Sequence, residues 1–436
     1  MELSLSELAS RSLLGTAAAF APIGCISRQI HTTARRIHIE ALGTSITRGP
    51  YKRSRSYPAM LERFLRTEYP AANITVRNRG FNGFSLDLLV ACVHRTVSSE
   101  ASIVMIETTD NLGFTTSEQA VALLTRLVRT LRERRQPRPE IILVSPFAQR
   151  CARRLLRIKQ FAHTYNESAS TSLASCFDAT ALPTAMENLA ADLGVPCVSM
   201  RAGLREVLAA SPRATIKRYL QDDAIHPSFE GYELLARGCL QAFKKAAGAE
   251  CRDDRIAPIR PPSLRPSPPA TCAFGEEMQR LVLKTVGWKY TIEHSRQGHA
   301  KPGYVATAPG ATLDVCHPDG PAATVWQFAF LKSYEGMGQV RGECVKESGC
   351  SCKPRTWDGH TPRRVSQSTM SKLKSIVHHR RLHSGSGCQC VIRLTVLSDT
   401  SSAGNKFKVD ALFGSFRIYD GSALLQGVRN AAAAPS

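Results

Sequence analysis

The chain has 436 residues, of which 43% are apolar and 21% charged, so it is long enough for two or three globular domains with apolar cores. Its 57 Lys and Arg residues outnumber its 36 Asp and Glu residues and give a formal net charge of +21. The basic residues are scattered, with no zinc-finger spacing or aromatic-interleaved RNA motif, which argues against nucleic acid as a partner. No apolar run has the length of a bilayer, so no transmembrane span is expected.

Residues 1–36 have the features of a targeting segment or a disordered terminus. The apolar run at 13–22 has the length of a signal-peptide core, whereas the acid-free stretch 29–36 is more typical of an organelle transit peptide. Glycosylation sequons at Asn73 and Asn166 and the cysteine content favour the secretory pathway or the extracellular space. Organelle targeting remains the alternative.

A buried strand is predicted at residues 37–42, and it runs into a tight turn that carries a serine. Apolar residues dominate the strand, Gly43 permits the turn, and Gly49 with Pro50 closes it. Ser45 is therefore expected above the carboxyl end of a strand, where open α/β sheets hold their reactive groups. Because a serine hydroxyl is a weak nucleophile without a base, the stretch predicts a histidine elsewhere, oriented by a carboxylate.

Strands and helices are predicted to alternate over residues 37–248. Apolar strands at 74–78, 102–107, 140–145 and 195–200 are separated by amphipathic helical segments. Continuous apolar strands of this kind are typical of a parallel sheet that is covered on both faces. We therefore expect an α/β domain here, a three-layer α/β/α sandwich with a parallel sheet.

An acid and an imidazole stand three residues apart near the end of this region. Asp223 and His226 are followed by Pro227, which stops a continuing helix, so a loop can fold the carboxylate back on the imidazole. Asp222 is an alternative acid. An isolated Asp-x-x-His is usually a helix cap, but a serine first and an Asp/His pair last suit an α/β fold with hydrolytic chemistry.

Four short blocks in chain order resemble the SGNH (GDSL-type) hydrolase family, and the resemblance covers about residues 37–245. The blocks are GTSIT at 43–47, NRGFNG at 78–83, ETTDN at 107–111 and DAIH at 223–226. A Pro-x-x-x-Gly pattern follows the last block and makes it the most specific of the four. The resemblance implies a catalytic triad of Ser45, His226 and Asp223.

The same resemblance implies an oxyanion hole formed by the backbone N–H groups of Ser45 and Gly80 and by the Asn111 side chain. Two positions depart from the family pattern. Thr44 replaces the Asp that usually precedes the nucleophile, and the third block lacks the usual Gly-x-Asn-Asp. Asn111 is the predicted donor because it has an uncharged amide, whereas the carboxylate of Asp110 would repel an oxyanion.

A proline-rich linker is predicted at residues 249–271, where proline density prevents helix or sheet. Helical periodicity nearly vanishes over 272–420, where short β-rich segments alternate with turn signals. This pattern predicts an all-β sandwich or a jelly-roll-like module, followed by a disordered tail at 421–436. A set of aromatic residues in this module either forms a stacking surface for sugar rings or fills its core: Trp288, Trp326, Tyr334 and Trp357.

Cysteines are concentrated in the linker and the C-terminal module. Of the 14 in the chain, these are Cys251, Cys272, Cys316, Cys344, Cys350, Cys352, Cys388 and Cys390. An even set in a small β-rich module favours disulfides and an oxidising compartment. The two Cys-x-Cys pairs leave a four-thiolate zinc site as the alternative, although Cys-x-x-Cys suits zinc better.

These observations predict a serine esterase that hydrolyses carboxylic esters, with a carbohydrate-linked ester as the expected substrate class. The implied chemistry needs neither a metal nor an organic cofactor. An acyltransferase that passes the acyl group to a sugar hydroxyl would use the same three side chains. A non-catalytic glycan-binding protein, with the β-rich module as its functional part, is the third possibility.

Overall fold

The computed structural model of the chain describes most of the sequence. The described residues are 3–32, 36–50, 53–82, 86–107, 117–133, 138–147, 152, 182–249, 272–294, 300–317, 325–346, 348–362, 366–374, 376–378, 388 and 390–413. They divide into two compact units, one within residues 1–82 and 93–264 and one within 83–92 and 265–420. The predicted linker beyond residue 249, the predicted tail at 421–436 and Asn111 lie outside the described residues.

A six-stranded sheet forms the centre of the first unit. Its strands are β1 (Leu13–Leu14), β2 (Ile37–Gly43), β3 (Ile74–Gly80), β4 (Ile103–Glu107), β5 (Glu140–Ser145) and β6 (Cys197–Ser199). They lie in the order β1-β6-β5-β4-β2-β3. The strands β2 to β6 pair in parallel, as the apolar pattern predicted, whereas β1 is an antiparallel edge strand that the pattern did not predict.

Helices alternate with these strands along the chain. Those of the described residues up to 249 are α1 (Leu5–Arg11), α2 (Ala17–Thr32), α3 (Ser45–Arg48), α4 (Tyr57–Glu68), α5 (Leu86–Thr96), α6 (Ser117–Glu133), α7 (Leu182–Asp192), α8 (Met200–Gly203), α9 (Arg205–Ala210), α10 (Pro212–Tyr219) and α11 (Phe229–Ala247), with a 3₁₀ turn at Arg53–Arg55. All seven residues of β2 are buried, so both faces of this strand are covered. The α/β fold with a mostly parallel sheet is thus confirmed.

The N-terminal segment differs from the expectation of a targeting or disordered stretch. A capping box between Ser4 and Glu7 begins α1, and the apolar side chains of Leu8, Phe20 and Ile23 are at most 1% exposed within the core of the first unit. Cys25 in α2 is disulfide-bonded. The apolar run therefore belongs to the folded core, because it packs on α11 rather than standing apart.

The second unit contains antiparallel sheets, which confirms the prediction of a β-rich module. Its strands are β7 (Cys272–Phe274), β8 (Val282–Val286), β9 (Lys289–His294), β10 (Ala300–Ala306), β11 (Thr312–Cys316), β12 (Val325–Lys332), β13 (Gln339–Cys344), β14 (Cys350–Ser351), β15 (Arg355–Asp358), β16 (Gln367–Lys374), β17 (Val377–His378), β18 (Val391–Val396) and β19 (Phe407–Phe413), with a 3₁₀ helix at Gly275–Arg280.

Two of these sheets share one apolar core. The first has the order β16-β12-β19-β10-β9 with β7 added beside β19, the second has the order β15-β13-β18-β11-β8, and β14 pairs with β17. The core includes all three tryptophans of the chain, Trp288, Trp326 and Trp357, which are at most 6% exposed. They fill the core, so the alternative of a tryptophan stacking surface is wrong for these residues.

Disulfides, not a zinc site, hold the cysteines of the second unit. The pairs are Cys92–Cys272, Cys316–Cys388, Cys344–Cys352 and Cys350–Cys390. Each Cys-x-Cys sequence thus divides its two sulfur atoms between different partners. The sulfur atoms of Cys344, Cys350 and Cys390 lie within 4.8 Å of one another, but all three are already in disulfides.

No helix in the described ranges has both the length and the apolar character needed to cross a bilayer.

Candidate active site

The turn that carries Ser45 joins the end of β2 to the short helix α3. The strand ends at Gly43, and Ser45 is the first residue of α3. A Cβ atom at Gly43 would lie 2.1 Å from Thr47 Oγ1 and 2.7 Å from Glu107 Oε2, distances that real Cβ atoms do not reach. Only glycine therefore fits at the point where the strand turns into the helix.

The structure brings Ser45, His226 and Asp223 into one chain of hydrogen bonds. The His226 Nε2 atom lies 2.9 Å from Ser45 Oγ, and its Nδ1 atom lies 2.5 Å from Asp223 Oδ2. The serine and the histidine are 181 positions apart in the sequence. The imidazole contacts the carboxylate of Asp223, so Asp223, and not the alternative Asp222, orients it.

The loop before α11 fixes the Asp223 carboxylate against the imidazole. Its second oxygen, Oδ1, accepts backbone N–H groups from Ile225 at 2.8 Å and from His226 at 2.9 Å. Ala224 takes a positive φ of 53°, which lets the chain fold back over the carboxylate. Partial burial by itself raises the pKa of Asp223, but its hydrogen bonds from His226 and the nearby imidazole charge outweigh burial and hold this pKa below its usual value.

Glu107, the last residue of β4, is a component of the site that the sequence did not reveal. Its side chain is 1% exposed, and its carboxylate accepts hydrogen bonds from the Thr44 N–H at 2.8 Å and the Thr47 N–H at 3.1 Å. The hydroxyls of Thr44 and Thr47 also donate to Oε2, at 3.1 and 2.9 Å. A single acid at the end of an otherwise apolar strand was the only signal of this role.

Tyr57 extends this network away from the serine. Its hydroxyl lies 3.1 Å from Thr47 Oγ1. Because the Thr47 hydroxyl hydrogen points to Glu107, Tyr57 is the donor in this contact. Burial raises the pKa of Tyr57 well above its usual value, and the negative charge of Glu107 adds to the effect, so the phenol stays protonated.

The backbone N–H of Gly80, a predicted oxyanion donor, has an acceptor within its own block. This N–H donates to Asn78 Oδ1 at 2.9 Å. The Asn78 amide in turn donates to the backbone carbonyl of Thr47 at 2.7 Å, so Asn78 links β3 to α3. A Cβ at Gly80 would lie 2.2 Å from the Arg48 nitrogen, which explains the glycine by close packing. The second glycine of the block, Gly83, lies outside the described residues.

Comparison with known proteins finds a family match within the first unit. Residues 41–234 match the GDSL-like lipase/acylhydrolase family. No curated protein matches the chain.

The fold is similar to solved structures of a two-domain esterase. The crystal structure of a two-domain esterase (CEX) active on acetylated mannans has 15% sequence identity and a TM-score of 0.65, with 92% of this chain and 97% of that chain covered. The form co-crystallized with mannopentaose has 16% identity and a TM-score of 0.62, covering 92% and 96%. At these identities the likeness shows a shared fold.

Proposed function

We propose that the protein is a serine esterase acting on carboxylic esters carried by carbohydrates. The match of residues 41–234 to the GDSL-like lipase/acylhydrolase family and the fold shared with a two-domain esterase support this proposal. The observation that carries the proposal is the hydrogen-bond chain from Ser45 Oγ through the His226 ring to Asp223 Oδ2. A nucleophile touching a base that is itself oriented by an acid is the arrangement that serine hydrolysis requires.

In the proposed mechanism, His226 Nε2 takes the proton of Ser45 as Oγ attacks the ester carbonyl carbon. Asp223 holds the imidazole in the required tautomer and stabilises the imidazolium. The imidazolium then protonates the leaving alcohol, which departs as a free sugar hydroxyl and leaves the acyl group on Ser45. Water gives a proton to His226 as it attacks the acyl-serine carbonyl. The bond between the acyl carbon and Oγ then breaks, the carboxylic acid leaves, and the imidazolium returns the proton to Ser45 Oγ.

The negative oxygen of each tetrahedral intermediate needs hydrogen-bond donors. We propose the Ser45 backbone N–H as one of them, because within the described residues it has no hydrogen-bond partner. Asn111 remains the predicted side-chain donor, and Gly80 is not part of the proposal.

The carbohydrate part of the proposal is supported by the structural neighbour that is active on acetylated mannans. Its likeness extends over 92% of this chain, including residues of both units. We therefore propose an O-acyl group on a polysaccharide as the substrate. The disulfides of the second unit further support action in an oxidising compartment, as expected for an enzyme outside the cell.

The test compares wild-type protein with Ser45→Ala on p-nitrophenyl acetate and on acetylated manno-oligosaccharides. We expect Ser45→Ala to abolish both activities and to prevent labelling by a fluorophosphonate probe. Ser211→Ala is the matched control, because this exposed hydroxyl does not cap α10. Full turnover by Ser45→Ala would refute the proposal. Transfer of the acetyl group to an added sugar acceptor, without release of acetate, would identify an acyltransferase instead.

A further inference from the structure

The helix that begins with Ser45 lacks a cap of its own. Thr44 stands at the N-cap position of α3, but its side chain makes no cap hydrogen bond. In a capping box, the N-cap side chain accepts the N–H of the third helical residue, whose side chain accepts the N-cap N–H. Here the Glu107 Oε2 atom accepts both of these N–H groups, from Thr44 and from Thr47. One carboxylate from a neighbouring strand thus replaces both halves of the box.

Ser45 lies between the two N–H groups that Glu107 holds. The carboxylate ties Thr44 and Thr47 to the end of β4, so the backbone at Ser45 has little freedom to rotate or shift. The 2.9 Å contact between Ser45 Oγ and His226 Nε2 depends on that placement. We propose that Glu107 is a positioning residue for the nucleophile, one that keeps Ser45 in line with His226 without contacting the reacting atoms.

The cost of burying this acid supports a functional role. A carboxylate removed from water is unfavourable unless hydrogen bonds replace its hydration, and the Glu107 carboxylate has four donors, all from Thr44 and Thr47. The other residues of β4 are apolar and buried, so an apolar residue would suit this strand equally well for packing. Gly43 leaves the space that the carboxylate occupies.

The experiment uses Glu107→Gln in the full-length protein, with Glu40→Gln as the matched control. Glu40 is also a fully buried acid of the same sheet, but its partners are His38, Arg79 and the Ser98 N–H, away from the Ser45 turn. For Glu107→Gln we expect kcat for p-nitrophenyl acetate to fall about 10- to 100-fold, because small displacements of a nucleophile have effects of this size. We expect KM to change little and fluorophosphonate labelling of Ser45 to slow in proportion. Glu40→Gln should lower the melting temperature but keep kcat.

The inference is overturned if folded Glu107→Gln keeps the wild-type kcat and labelling rate, or if Glu40→Gln loses as much of both. If Glu107→Gln does not fold, the variants Thr47→Val and Thr47→Ser test the same inference. The valine removes the hydroxyl that donates to Glu107, whereas the serine keeps it. We expect a lower kcat for the valine variant and recovery for the serine variant, and equal kcat values would overturn the inference.

This inference rests on the proposed function, and the two fail differently. If Ser45→Ala retains activity, the proposed function is wrong whatever Glu107 does. If Ser45→Ala is inactive but Glu107→Gln is fully active, the esterase proposal stands and only the positioning role is lost.

Discussion

The two carboxylate oxygens of Asp223 have separate partners. One oxygen accepts the Ile225 and His226 backbone N–H groups, and the other lies against the imidazole. The first set of bonds shapes the loop, whereas the second orients the base. A substitution that keeps the size of the Asp223 side chain but replaces an acceptor oxygen with a donor group therefore affects the tautomer of His226 more than the loop.

Asp223→Asn should lower kcat about 10³- to 10⁴-fold, because an amide that donates to Nδ1 stabilises the wrong tautomer. The measurement is steady-state hydrolysis of p-nitrophenyl acetate. Asp222→Asn is the matched control, since Asp222 is exposed, and it should stay close to wild type. Equal losses in the two variants would contradict the assignment of the acid.

The lowered pKa of Asp223 adds a pH dependence to the same comparison. A carboxyl whose pKa is lower in the folded state contributes stability that is present above its unfolded pKa and is lost as pH falls through the folded value. The stability difference between wild type and Asp223→Asn should therefore persist from neutral pH down to about pH 4 and shrink at lower pH. Thermal melts across this range measure it.

Ser45, Asp223 and His226 could be predicted as site residues because each lies in a local sequence pattern that is recognisable without its spatial partners. The role of Glu107 was not predictable, because its partners Thr47 and Thr44 lie 60 and 63 positions away, in helix α3 and at its N-cap. The hydrogen bond of Gly80 was not predictable for a related reason. The motif marks a glycine, but only coordinates show that its N–H already has Asn78 as an acceptor.

At the scale of elements, the parallel strands were predictable and the N-terminal helices were not. A strand buried on both faces has a continuous apolar sequence, which distinguishes it from most other segments. An apolar run near the N-terminus has the same composition whether it is a targeting signal or a core helix. Its burial against α11 is a tertiary property that periodicity alone does not contain.

Phe20→Ala tests whether α2 is part of the folded core. Phe20 is fully buried and lies beneath the ammonium group of Lys245 in α11, so its truncation should destabilise the first unit by about 3–5 kcal/mol. Urea denaturation followed by circular dichroism measures the change. Arg11→Ala is the control, because this residue forms a surface ion pair with Glu206 and should cost at most about 1 kcal/mol. Unchanged stability of Phe20→Ala would contradict a core role for α2.

At the scale of the whole molecule, the described cysteines fall into two chemical classes. Cys25 of the first unit and the described cysteines of the second unit are in disulfides, whereas Cys197 and Cys239 of the first unit are free and buried. Burial raises the pKa of Cys239 to about 12, and it raises that of Cys197 further. Both thiols are thus protonated, enclosed and unreactive in the folded protein.

Alkylation with iodoacetamide, followed by peptide mass spectrometry, tests this division. In the native protein neither Cys197 nor Cys239 should be modified, and after unfolding without a reductant both should be modified while the cysteines of the second unit stay protected. Zinc-bound thiolates would behave differently, because unfolding releases the metal and exposes them to the reagent. Modification of Cys350 and Cys390 in unfolded, unreduced protein would therefore contradict the disulfides.

Replacing both Cys316 and Cys388 by alanine should destabilise the second unit by about 2–5 kcal/mol, because the unfolded chain gains entropy when this loop is no longer closed.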